Sequence, residues 1–163
     1  MFPSHTPKPR TNQNHVYISK YLDPKLITRL DADDRDAALR VLVEKLDQAD
    51  KLKDKERFYN AIIEREKIVS TGIGVGVAVP HAKLPDYETF FIAIGIHSKG
   101  IPWEAIDNIP VRIVFMIGGP DDKQTEYLQL LSRLTLAIKD EERRKKILQF
   151  TSPDDIIALF GGI

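Results

Sequence analysis

Residues 111–117, Val-Arg-Ile-Val-Phe-Met-Ile, form a run with a single polar side chain, with Pro110 before it and Gly118-Gly119-Pro120 after it. Successive side chains of a strand point to opposite faces of a sheet, and here both sets are apolar, so neither face suits water. The run predicts a strand buried on both sides. A chain that contains it must also supply two covering layers.

Those layers are legible as helical spacing. Between Asp33 and Asp50, the residues Ala38, Val41, Leu42, Leu46 and Ala49 recur at helical intervals, with Asp33 and Asp36 as carboxylates for the cap and first turn. A second amphipathic helix is predicted from Asp54, a cap residue, through Phe58, Ala61 and Ile62 to about Lys67. Glycines at 72, 74 and 76 then break it. Val77–Val79 and Phe90–Ile96 read as further strands. Gly118-Gly119-Pro120 closes the apolar strand, and Asp121 with Gln124 opens a long helix whose Leu128, Leu131, Leu134 and Ile138 point one way. Two short helices follow, the last opened by Ser152-Pro153-Asp154-Asp155. Helices, strands and helices again, without a repeat, predict an α/β fold: a single domain with a mixed β-sheet flanked by helices on both sides.

A chain of 163 residues, 42% of them hydrophobic, suffices for one core and not for two. Residues 1–15 carry three prolines and no apolar period and are expected to form a flexible tail, so the domain is expected over 16–163. Lys plus Arg and Asp plus Glu number 24 each, so no overall field draws the chain to nucleic acid. The absence of cysteine excludes disulfides, thiolate metal sites and a cysteine nucleophile. No apolar stretch suits a signal peptide or membrane span, which makes the cytoplasm the expected location.

The glycine cluster Gly72-Ile73-Gly74-Val75-Gly76 follows a helix and leads into a strand, the reverse of a nucleotide-binding loop, and reads as turns. His81 is the sharper feature. Pro80 lacks an N–H and is expected to halt the strand just before it, leaving the imidazole where chain departs from the sheet. His97 is placed on another strand, with an exposed strand end as its ordinary environment, and His5 and His15 are in the tail, so no set of ligands for a metal converges. Two readings of His81 stand on residue type alone: an ordinary polar loop residue, or a ring nitrogen that accepts a transferable group.

Glu64-Arg65-Glu66-Lys67, then Ser70-Thr71-Gly72-Ile73-Gly74 and Val77-Ala78-Val79-Pro80-His81-Ala82-Lys83, resemble the signature of enzyme IIA of the fructose/mannitol type in the bacterial phosphotransferase system. The likeness continues through Gly100-Ile101-Pro102-Trp103 and Pro110-Val111 and spans about residues 17–160. Within that family the chain is most similar to the nitrogen-regulatory members. The resemblance implies that His81 accepts a phosphoryl group from an HPr-type phosphocarrier and that Arg65 stands beside it as a bidentate donor. It further implies a IIB component or a regulatory target as acceptor, and no cofactor. Thr71 is a further candidate phosphate donor. At Tyr127 the chain departs from the family, many of whose members carry a second histidine there. The rival expectation is a non-catalytic regulatory module that docks on a target protein.

Overall fold

A computed structural model of the chain describes residues 16–163, and the tail expected at 1–15 lies outside the described residues. Among these residues six strands form one mixed sheet: β1 (Ile27–Arg29), β2 (Gly72–Gly74), β3 (Val77–Ala78), β4 (His81–Leu84), β5 (Phe91–Ile101) and β6 (Val111–Pro120). β5 and β6 pair antiparallel at the centre. β1 lies parallel to β5, and both β3 and β4 lie parallel to β6, one after the other along its other edge. The helices are α1 (Arg35–Gln48), α2 (Lys55–Ile68), α3 (Gln124–Lys139), α4 (Glu141–Leu148) and α5 (Pro153–Ala158).

The apolar strand is covered on both sides, as its composition requires. Ile113, Phe115 and Ile117 of β6 pack with Leu130 and Leu134 of α3, Ile147 of α4 and Ile156 of α5. Val114 and Met116 face the opposite layer, where Leu39 and Leu42 of α1 meet Phe58 and Ile62 of α2. Truncating a side chain such as Phe115, which has no exposed surface, costs about 3–5 kcal/mol through lost burial and a residual cavity.

Several local expectations change. β6 does not stop at Gly118 but continues to Pro120, because β4 pairs with it as far as Leu84↔Pro120. The two glycines are there for space: a Cβ on Gly118 would stand 2.4 Å from the Phe91 ring, and one on Gly119 would stand 2.3 Å from the Phe90 ring. The cap of α1 is Asp34, whose carboxylate accepts from Ala37 N–H at 2.8 Å, rather than Asp33. α3 begins after Lys123 with no side-chain cap, so Asp121 does not open it. Its buried stripe is Tyr127, Leu130, Leu134, Ala137 and Ile138, while Leu128 is about half exposed. An apolar tally favours leucines, but an aromatic ring can take the core-facing position and turn a neighbouring leucine outward. The caps expected at Asp54 and Ser152 are present.

Candidate functional site

His81 stands at an interruption within the sheet rather than at its end. β3 pairs with β6 through Ala78↔Val114, and pairing resumes at His81↔Ile117. Between them Pro80 has no N–H to give the ladder, although its carbonyl accepts from Ile117 N–H at 2.9 Å. The expectation that proline would end the strand is corrected to a break after which the same edge continues.

The break determines the state of the imidazole. Nδ1 of His81 lies 3.1 Å from the carbonyl oxygen of Val79. A carbonyl can only accept, so Nδ1 carries the ring proton and Nε2 presents its lone pair. Burial lowers the affinity of the ring for a second proton, and the nearby charges of Arg65 and Lys83 act the same way, against the Val79 bond and the charge of Glu66. The ring is neutral at pH 7, with its nucleophilic nitrogen assigned.

Three elements bring charge and aromatic surface to it. Arg65, in the last turn of α2, donates from Nη1 to the Val69 carbonyl at 2.8 Å, which anchors one side of its planar fork at the helix end. Lys83 lies two residues beyond His81 on β4, on the same face of the strand. Tyr127, in the first turns of α3 and 4% exposed, sets its ring 5.6 Å from the imidazole at 47°. The Phe90 ring backs it at 6.0 Å. Burial raises the Tyr127 phenol above its usual pKa, with Arg65 in opposition, so it stays uncharged at neutral pH. Glu126, its neighbour, accepts from the Tyr21 hydroxyl at 2.6 Å and ties the start of α3 to the rest of the domain.

Thr71 takes a different place from the one its type suggested. Its hydroxyl and its N–H both donate to the Glu66 carboxylate, so its donors are engaged and none is left for a phosphoryl group. Glu66, 3% exposed, also receives Trp103 Nε1–H at 3.4 Å. This buried acceptor was missed, although its signal was in the sequence: Glu66 continues the Phe58–Ile62 stripe of α2 in steps of four, which puts a carboxylate on the core-facing side. His97 is buried rather than exposed. Lys99 and Gly100 N–H groups donate to its Nδ1, at 3.2 and 2.8 Å, so Nε2 carries the proton toward Asp33 Oδ1 at 3.1 Å. Ile92 and His81 flank the same residue, Ile117, and His97 lies five residues further along β5, outside the site. Among the described residues no three histidine or carboxylate side chains gather closely enough to hold a metal.

A helix-covered mixed sheet that displays one neutral imidazole within the electrostatic reach of two cationic side chains is suited to carrying a small anionic group on a nitrogen nucleophile. The chain belongs to the EIIA 2 family of the phosphoenolpyruvate-dependent sugar phosphotransferase system, whose family model matches residues 20–161. It is 37% identical over 128 residues to the fructose-specific EIIABC component of Bacillus subtilis, a match that covers 78% of this chain and only 20% of that relative. Its fold is similar to that of the nitrogen regulatory protein IIA-Ntr from Neisseria meningitidis, with a TM-score of 0.82, 22% identity and coverage of 88% and 98% of the two chains. It is also similar to a chain of the Escherichia coli complex of IIAMtl with phosphorylated IIBMtl, with a TM-score of 0.73, 21% identity and coverage of 87% and 98%. Family membership makes phosphoryl transfer the class of chemistry the domain serves. Among the described residues no helix is long and apolar enough to cross a membrane.

Proposed function

We propose that the chain is a cytoplasmic phosphocarrier that accepts a phosphoryl group on Nε2 of His81 from an HPr-type carrier and passes it to a IIB component or uses it as a regulatory signal. The observation that carries this reading is the Nδ1 contact to Val79, which holds the ring neutral with Nε2 unprotonated. In the transfer, the bond from phosphorus to the donor breaks and its electron pair stays with the donor. The Nε2 lone pair forms the new N–P bond, and Nδ1 keeps its proton on the Val79 carbonyl. Arg65 meets the phosphoryl oxygens with the free side of its fork.

The complex with phosphorylated IIBMtl, formed by a protein of the same fold, supports a IIB-type acceptor here. The exposed aliphatic side chains Ile68, Val69 and Leu128, next to Arg65 and Tyr127, suit the docking of such a partner. The same surface favours a second reading, a regulatory module that docks without transfer. Mass spectrometry after incubation with a phosphorylated HPr-type carrier separates the two. The transfer reading expects one added, acid-labile phosphoryl group that is absent from His81→Ala. An unmodified chain, or modification that persists in His81→Ala, overturns it.

A further inference from the structure

Lys83 has a setting unlike that of several other lysines of this chain. Lys55, Lys67 and Lys145 each reach a carboxylate. Lys83 instead donates to the neutral amide oxygen Oε1 of Gln124 at 2.6 Å, and its Nζ lies 4.2 Å from the centroid of the Tyr127 ring. Both contacts come from the start of α3, and among the described residues Lys83 has no ion pair. Its charge is held in place without being neutralised. The same Tyr127 ring flanks the His81 imidazole at 5.6 Å. An uncompensated ammonium therefore rests on one side of an aromatic platform whose neighbour is the nucleophile.

A phosphoryl group on nitrogen brings close to two negative charges at neutral pH. Arg65 supplies one cation, and the buried, uncharged phenol of Tyr127 supplies none. We propose that Lys83 is a second phosphoryl-binding residue: when His81 carries the group, the ammonium moves from Gln124 to the phosphoryl oxygens, and the Tyr127 ring is the positioning surface that keeps it within reach. Hydrogen bonds from an ammonium to anionic oxygens are stronger than one to the neutral Gln124 amide oxygen combined with the cation–π contact on Tyr127, so the charge of the group decides where Lys83 goes. No covalent bond changes at Lys83, and its ammonium keeps its three protons. The inference rests on the reading of His81 as the acceptor.

The test phosphorylates the full chain with phosphoramidate, a small donor that needs no carrier protein, and follows the phosphohistidine by phosphorus NMR as pH is varied. A cation held against the group favours its doubly ionised form. Lys83→Met is therefore expected to raise the second phosphoryl pKa by about half a unit or more, and Lys83→Arg to restore it. Tyr127→Phe, which keeps the ring, should titrate like the parent, whereas Tyr127→Leu should give a rise in the same direction as Lys83→Met. Equal titration of the parent and Lys83→Met, both phosphorylated on His81 and both folded by circular dichroism, overturns the role of Lys83 alone. Failure of the parent to take phosphate on His81 from phosphoramidate and from a phosphorylated HPr-type carrier alike overturns the acceptor reading and, with it, this inference.

Discussion

The rings of His81 and Tyr127 lie 5.6 Å apart with their planes inclined at 47°, so the imidazole at the strand break is walled on its α3 side by a phenol. The wall is apolar in character and does not titrate near neutrality, because burial raises the phenol's pKa. Tyr127→His is expected to keep phosphoryl acceptance and to give it a steeper pH dependence between about pH 6 and 8, since an imidazole gains and loses charge there. Initial rates of phosphoryl uptake across that range check this. Uptake that first appears in Tyr127→His from an inert parent would instead favour the docking module.

Arg65→Lys retains the positive charge and loses the planar fork that now donates to the Val69 carbonyl. Loss of one charge-assisted hydrogen bond in the transition state slows transfer by about tenfold or more. Melting temperature should change little. A rate equal to that of the parent in a folded variant removes Arg65 from the site.

His81 makes stability depend on pH with a definite sign. Its folded-state pKa lies below the ordinary histidine value, mainly because of burial, so the unfolded chain binds the extra proton more readily. The neutral ring costs nothing above the ordinary histidine range. As pH falls through about 6.5, the unfolded state gains protons first and stability drops, until the folded ring is protonated too. His81→Gln removes this contribution. Urea denaturation at pH 7.5 and 5.5 should show a smaller loss in the variant than in the parent.

Glu66 serves as a buried acceptor for the N–H and hydroxyl of Thr71 and for the indole N–H of Trp103. Glu66→Ala leaves these donors unmet in a closed environment and is expected to cost about 3 kcal/mol. Chemical denaturation measures the loss, and the fluorescence of Trp103 reports the changed surroundings of the indole. Destabilisation below about 1 kcal/mol would mean that water replaces the carboxylate.

Val75, at the tip of the β2–β3 hairpin, has a φ of 52°, in the left-handed region where a β-branched residue is strained. Its side chain is half exposed, and its N–H donates to Asp107 Oδ2 at 2.8 Å. Val75→Asn keeps that donor and accepts the conformation more easily, so the variant should be more stable by about 0.5–1 kcal/mol. The hairpin lies beyond the Val77↔Ile113 end of the pairing, away from His81, so phosphoryl uptake should not change.

What the sequence determined by itself are the features that depend on local spacing. The apolar run at 111–117 required a strand covered on both faces, helical periodicity supplied the covering layers, and Asp54 and Ser152 marked helix starts through caps formed within three residues. The motif around Val79-Pro80-His81 likewise carried the resemblance and singled out His81 as the candidate acceptor. The tertiary structure decided the rest, for physical reasons. β1, β2 and β4 have only three or four residues, too few to express a period, and they exist because a neighbouring strand satisfies their backbone groups. The proton of His81 sits on Nδ1 because the chain bends back to offer the Val79 carbonyl, which no spacing rule announces. Thr71 was turned from phosphate toward Glu66, and Tyr127 took the core-facing position that a leucine count assigned to Leu128, through packing across segments far apart in sequence. The setting of Lys83 is the clearest case: its residue type promises only a surface charge, and its place on the Tyr127 ring follows from the docking of α3 against β4.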